Sequence, residues 1–165
     1  MMLYIMRHGL AEEPTPKGDD DARKLTTEGV DKIRKAAAGL RSAGYTFETI
    51  LSSPITRARE TAEIVAREFE GLKPRIVPEL TTGASPIAAL EALIKLQLPE
   101  SAVAVGHEPT LSRLASLLLT GSSESVEIGL KQGGVIALEF GDRIERGGAK
   151  LRWMMTQRQL RKLRK

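Results

Sequence analysis

Two histidines, His8 and His107, are the only imidazoles in the chain, and each directly follows a short apolar run and has a glycine at its side, in Arg7-His8-Gly9 and Gly106-His107-Glu108. The chain has no cysteine, which removes thiol nucleophiles, disulfide frameworks and thiolate zinc sites. Two histidines cannot build a histidine-rich metal cage, so imidazole chemistry here rests on these two. Arg7 adjoins the first, and Arg57 and Arg59 stand near the start of a helical stretch after a second apolar run. Guanidinium forks match phosphoryl oxygens in shape and charge. Two imidazoles at a phosphoryl group can divide the work: one, neutral, attacks phosphorus and becomes a phosphohistidine, and the other, protonated, stabilises the equatorial oxygens of the transition state. Arginines supply the charge that magnesium supplies in kinases, so neither a metal nor any other cofactor is expected.

The elements that must hold these residues follow from apolar periodicity and caps. Met2 to Met6 reads as a strand buried on both faces, stopped by Arg7 and Gly9. Thr26 or Thr27 caps a helix to about Ala43, with Gly44 as its stop. Glu48 to Ser52 reads as a second strand, and Ser53-Pro54 as an N-cap and first helical proline, opening a helix to about Phe69. Arg75–Val77 is the third predicted strand. Ser85-Pro86 repeats the cap signature before a helix to about Leu96, Ala102–Val105 is the next strand, and a helix runs from Thr110 to Leu119. Strands are expected near Val126–Ile128, Val135–Phe140 and Leu151–Met155. Strands alternating with helices predict an α/β three-layer sandwich whose central sheet is largely parallel, with an antiparallel edge from the late strands. In such sheets ligands bind beyond the carboxyl ends of the strands. Both histidines and the arginines fall at that end.

Composition bounds the alternatives. At 165 residues the chain fits one domain, and 41% hydrophobic with 28% charged residues excludes a disordered or fibrous chain. The formal charge of +4 invites a nucleic-acid reading, yet Arg158, Arg161, Lys162, Arg164 and Lys165 carry that excess with no acid among them, leaving a near-neutral body. The expected division is therefore a domain over residues 1–157 and a basic tail over 158–165, read as a solvated helix end. Aromatic residues make up 4% of the chain, too few for a base-stacking platform, so nucleic acid is not an expected partner. The apolar start is too short for a secretory core and the run around Leu117–Leu119 too short for a membrane span, from which a cytoplasmic location and no membrane partner are expected.

The residues carry a resemblance. Met6-Arg7-His8-Gly9, the stretch from Leu51-Ser52-Ser53-Pro54 through Arg57-Ala58-Arg59-Glu60-Thr61-Ala62, and Val105-Gly106-His107-Glu108-Pro109 resemble, in order and spacing, the three motifs of the histidine phosphatase superfamily. The segment Leu25 to Gly29 and the stretch Pro78-Glu79-Leu80-Thr81 further resemble the short phosphohistidine phosphatases of the SixA type. The resemblance implies a phosphoglycerate-mutase-like fold, His8 as nucleophile, and a phosphate pocket of Arg7, Arg57 and His107. Helix facing alone favours Arg59 over Arg57, because Arg59 lies closer to the apolar stripe; the motif favours Arg57. Gly9 and Glu108 are expected to line the substrate site. Larger members of the superfamily carry a proton-donating acid in an insertion after the third strand, for which this chain has little room. Glu79 is the nearest candidate for that role, with Glu12 and Asp19 to Asp21 as alternatives on the loop after the nucleophile, and Lys131 is a candidate cation at the rim.

The expected activity is a metal-independent phosphatase working through a phosphohistidine intermediate. Its partner is a phosphorylated protein, a phosphohistidine carrier domain, or else a small phosphate ester. A mutase fits less well, since it must enclose its intermediate from water and few residues are left for a lid. A non-catalytic phosphate-binding module is the alternative outside enzymes.

Overall fold

Leu3 and Ile5 face one side of strand β1 (Met2–Arg7), Tyr4 and Met6 the other, and all four are buried, which is the pattern of a strand covered on both faces. The computed structural model describes residues 1–165. A six-stranded sheet runs in the order β3-β2-β4-β1-β5-β6, with β2 (Thr49–Ser52), β3 (Arg75–Ile76) and β4 (Ser101–Gly106) parallel to β1, and with β5 (Val135–Glu139) and β6 (Lys150–Met155) antiparallel. This is the expected sandwich: α1 (Thr27–Ser42) and α2 (Thr56–Glu68) pack with Tyr4, Met6, Val103 and Val105 on one face. Helices α3 (Pro86–Lys95) and α4 (Thr110–Thr120) pack with Leu3, Ile5, Ala102 and Ala104 on the other.

Local chemistry sets most element ends. Thr26 Oγ1 accepts the Gly29 N–H at 2.9 Å to open α1, whose stripe Ile33, Ala36, Ala37 and Leu40 is buried, and Gly44 follows its end at φ 87°. Ser85 caps α3 with Pro86 in its first turn, as expected.

Three expectations are corrected. Ser53-Pro54 does not open α2: the helix starts at Thr56, and the Ser53 hydroxyl accepts from Ile55 N–H while meeting a histidine described below. No strand forms at Val126–Ile128, because α4 side chains take up the backbone of that segment, Ser116 Oγ accepting from Val126 N–H and Ser112 Oγ donating to the Ile128 carbonyl. Residues 158–165 are only in part a solvated helix end. A fifth helix, α5 (Gln157–Lys162), opens with a capping box between Thr156 and Gln159 and buries Leu160 completely among α1 side chains. Gly39 of α1 admits it, since a Cβ there would collide with the Leu160 carbonyl. The expected boundary at residue 157 thus falls at the first residue of a packed helix. No helix is long and apolar enough to cross a membrane.

Candidate active site

The parallel register places Arg7 opposite Gly106, so the next residue on each strand, His8 and His107, leaves the sheet side by side. Adjacent strands lie about 4.8 Å apart. The two rings stand 5.2 Å apart between centroids, inclined at 52°. On the other side of β4, Ser52 pairs with Val105, which puts Ser53 beside the same strand end, and its N–H bonds the Val105 carbonyl at 3.0 Å. The chemistry therefore gathers at the carboxyl ends of the three strands β2, β4 and β1, at the centre of the sheet.

Each side chain is held from behind. His8 Nδ1 lies 2.7 Å from the Gly9 carbonyl, which can only accept, so Nδ1 carries the proton and Nε2 keeps its lone pair. Gly9 N–H donates in turn to Thr61 Oγ1 at 3.1 Å, and that hydroxyl donates to the Arg57 carbonyl at 2.8 Å, tying the loop after β1 to α2. His107 Nε2 lies 2.8 Å from Ser53 Oγ. Ser53 Oγ already accepts from Ile55 N–H, and Nε2 is the one acceptor its own proton meets. With the Ser53 hydroxyl donating to Nε2, Nδ1 of His107 is the N–H. Arg7 donates from Nη1 to the Leu130 carbonyl at 3.0 Å, and Arg57 donates from Nη1 to the Asp20 carbonyl at 3.0 Å. Arg7 Nε, Arg57 Nε and His107 Nδ1 are buried and have no partner. A buried N–H is normally satisfied, so three such donors beside His8 describe a place for an oxyanion.

Burial pushes the His8 imidazole down to about 4, helped by the charges of Arg57, Arg7 and Arg23 against the opposing bond to Gly9. His107 is pushed down to about 3, by burial first and then by His8, Arg57 and Arg7. Both rings are thus neutral near pH 7. That suits a nucleophile at His8, and an anion arriving beside His107 would act against the burial that holds its ring neutral. Arg57 is buried and Arg59 exposed, which settles the conflict between facing and motif. α2 begins only at Thr56, so Arg57 stands in its first turn next to the strand ends, and its nearness to them outweighs helix facing.

At the rim, the Asp20 carboxylate lies 3.4 Å from Arg57 Nη2 and 2.8 Å from Arg23 Nε, and Arg23's hydrogen bond, followed by its charge and that of Arg57, holds that carboxyl below its usual range. Glu79 lies in a single 3-10 turn (Pro78–Leu80) after β3, half-buried and without an ion pair or hydrogen bond on its carboxylate. The turn sits at the strand ends: Val77 N–H bonds the Ser52 carbonyl at 2.8 Å, and a Cβ on Gly106 would lie 3.2 Å from the Leu80 carbonyl. Two expected substrate contacts are placed otherwise. The Glu108 carboxylate accepts from the Ser112 N–H in the first turn of α4 and shares the one Ser112 hydroxyl proton with the Ile128 carbonyl. Gly9 has both backbone polar groups engaged, and a Cβ there would lie 2.6 Å from Ile33 Cγ1, so helix packing is what demands glycine. Sequence reasoning missed Ser53, which it read as a cap, and Thr61. The signals for Thr61 were its place in the second motif and its position four residues after Arg57, one turn along the same face.

Residues 3–82 match the model of the histidine phosphatase superfamily, branch 1. The chain is 36% identical over 143 residues to an uncharacterized protein of Picosynechococcus sp., covering 86% of each chain. It is 29% identical over 127 residues to the phosphohistidine phosphatase SixA of Escherichia coli, covering 74% of this chain and 77% of that one. Among solved structures, a protein histidine phosphatase SixA complexed with tungstate superposes with a TM-score of 0.81 at 26% identity, over 97% of this chain and 99% of that chain. Three motifs meeting at one sheet end, with these likenesses along the chain, make the protein a member of the histidine phosphatase superfamily, similar to SixA, and support phosphatase activity for it.

Proposed function

We propose that the protein hydrolyses phosphohistidine on a phosphorylated protein, without a metal ion, through a phosphohistidine intermediate at His8. The observation that carries this reading is the trio of buried, unpartnered donors, Arg7 Nε, Arg57 Nε and His107 Nδ1, beside an imidazole whose Nε2 lone pair is free. Those donors suit the three equatorial oxygens of a phosphoryl group in flight, and the two guanidiniums supply positive charge there. In the first step His8 Nε2 bonds to phosphorus as the P–N bond of the substrate breaks, and the substrate imidazole, protonated beforehand on its other ring nitrogen, departs neutral. In the second, water adds to phosphorus, the His8 P–N bond breaks, inorganic phosphate leaves, and the Nε2 lone pair is restored.

A protein substrate is favoured by the open rim. Only residues 77–85 join β3 to α3, too few to build a cover over the pocket. The likeness to SixA, which bears the name of a phosphohistidine phosphatase, points the same way. The free carboxylate of Glu79 favours a second reading, small phosphate esters, because expelling an alkoxide needs a proton that a positioned acid supplies for a rate gain of about 10²–10⁴.

The test is turnover of a phosphohistidine peptide, an aryl phosphate and an alkyl phosphate by the wild type and by Glu79→Gln, with and without EDTA. The proposed reading expects efficiency to fall in that order, no effect of EDTA, acid-labile phosphate trapped on His8, and no turnover by His8→Ala. In Glu79→Gln, alkyl phosphate turnover should fall more than that of the peptide. Equal wild-type efficiency on alkyl phosphate and peptide would hand the site to small esters. Label on serine or aspartate would overturn the mechanism.

A further inference from the structure

The positive charge that the body of the chain lacks is concentrated in one place. Beside Arg7, a shallow cavity of about 360 Å³ is bounded by Lys32 and Lys131. It shares Lys32, Lys131, Gln132 and Gln157 with a second cavity of about 570 Å³, which continues along α5 past Arg158, Arg161 and Lys162. Six cations and no acid line this continuous trough: Arg7 at its start, then Lys32, Lys131, Arg158, Arg161 and Lys162. Lys32 is paired with Glu28 one turn back on α1, whereas Lys131, Arg158, Arg161 and Lys162 take part in no ion pair. Two further N–H groups in its wall, Gln157 Nε2 and Arg161 Nε, are buried without a partner.

The fold accounts for the trough. Leu160 anchors α5 on α1, so the polar residues of this short helix are turned outward. The loop Leu130–Gly134 lies between α5 and the nucleophile, because Gly133 N–H bonds the carbonyls of Arg7 and His8 at 3.0 and 3.1 Å. The Gln157 side chain packs on that same glycine. A partner touching α5 is therefore continuous with one whose phosphoryl group enters beside Arg7.

We infer that this trough is the docking surface for an acidic face of the phosphorylated protein substrate, bordering its phosphohistidine. The inference rests on the proposal that the substrate is a phosphoprotein. Two features select an acidic protein. The trough is open, and Lys131, Arg158 and Lys162 along it are exposed, which suits carboxylates on a broad surface. No aromatic side chain lines it, so nothing is offered to a stacked base. Charges at such a rim act on encounter and register more than on chemistry, which places their effect in KM and in salt dependence.

The experiment compares a phosphohistidine peptide flanked by glutamates, its glutamine counterpart, and phosphoramidate, at low and high salt, with the wild type and with Arg158→Glu/Lys162→Glu. The wild type should prefer the acidic peptide by about 3- to 10-fold in kcat/KM at low salt, and high salt should erase the difference. The double variant should lose the preference through KM while its phosphoramidate turnover stays unchanged, which also shows that it folds. Equal wild-type efficiency on the two peptides at low salt overturns the proposal, as does a preference that survives in the variant. Binding of the unphosphorylated peptides to His8→Ala, read by fluorescence anisotropy, separates docking from chemistry. If no peptide is turned over, tighter binding of the acidic one keeps the docking surface and discards the phosphohistidine reading, and equal binding discards the surface. An oligothymidylate that outcompetes the acidic peptide overturns the assignment to protein.

Discussion

His8 and His107 stay neutral because burial removes the hydration that an imidazolium needs, and nearby guanidiniums add repulsion. This has a consequence for stability. In the unfolded chain the imidazoles take up protons near pH 6.5, while in the folded one they resist until about 4 and about 3. As pH falls through that window the unfolded state binds more protons, so stability is full above 6.5 and declines towards pH 4. Thermal melts across that range should show a falling Tm, and His107→Asn should flatten the slope; an unchanged slope would mean the ring is not held neutral. The two arginines of α2 make a second test at this scale. Arg57→Ala removes a buried, unpartnered donor and, on the proposed mechanism, should lower kcat/KM for phosphoramidate by about 10²–10³-fold. Arg59→Ala removes an exposed cation and should change it by less than about twofold.

At the scale of elements, the site depends on how closely α1 and α2 approach the end of β1. Gly9 is the hinge of that approach: its carbonyl sets the His8 tautomer, its N–H reaches Thr61 on α2, and its missing Cβ lets Ile33 of α1 come near. Gly9→Ala should therefore destabilise the fold by about 1–3 kcal/mol through overpacking, seen as a lower urea midpoint, and should lower kcat as the loop shifts. A stable Gly9→Ala protein with full activity would show that Ile33 yields easily. Ser53 belongs to the same scale. By leaving α2 to start three residues later, it frees its hydroxyl for His107.

The whole molecule is closed by its C-terminal helix. Leu160 is fully buried in the cluster on the α1 face of the sheet, and its carbonyl lies against Gly39, so removing residues 157–165 uncovers that part of α1. Loss of a buried leucine and its surroundings costs about 2–5 kcal/mol. A chain ending at Thr156 should melt well below the full-length protein, whereas one lacking only Arg164 and Lys165, both exposed, should melt with it. Equal melting of all three would return α5 to the status of a solvated tail.

The sequence by itself determined the layers and which histidines meet at the strand ends, because these follow from short-range signals. Apolar runs such as Met2–Met6 and caps such as Thr26 and Ser85 mark elements locally. The rule that ligands sit beyond parallel strand ends converts two strand-terminal histidines into one site. What only the tertiary structure decided are pairings between residues far apart in the chain. Whether Arg57 or Arg59 turns inward depends on where α2 starts against β2; the proton positions on both imidazoles depend on Gly9 and Ser53; Glu108 turns to Ser112 rather than to the pocket. A run of cations reads as a solvated tail until α1 is seen to receive Leu160. Burial of one side chain 121 positions away in sequence from Gly39 is a long-range fact that no local pattern encodes.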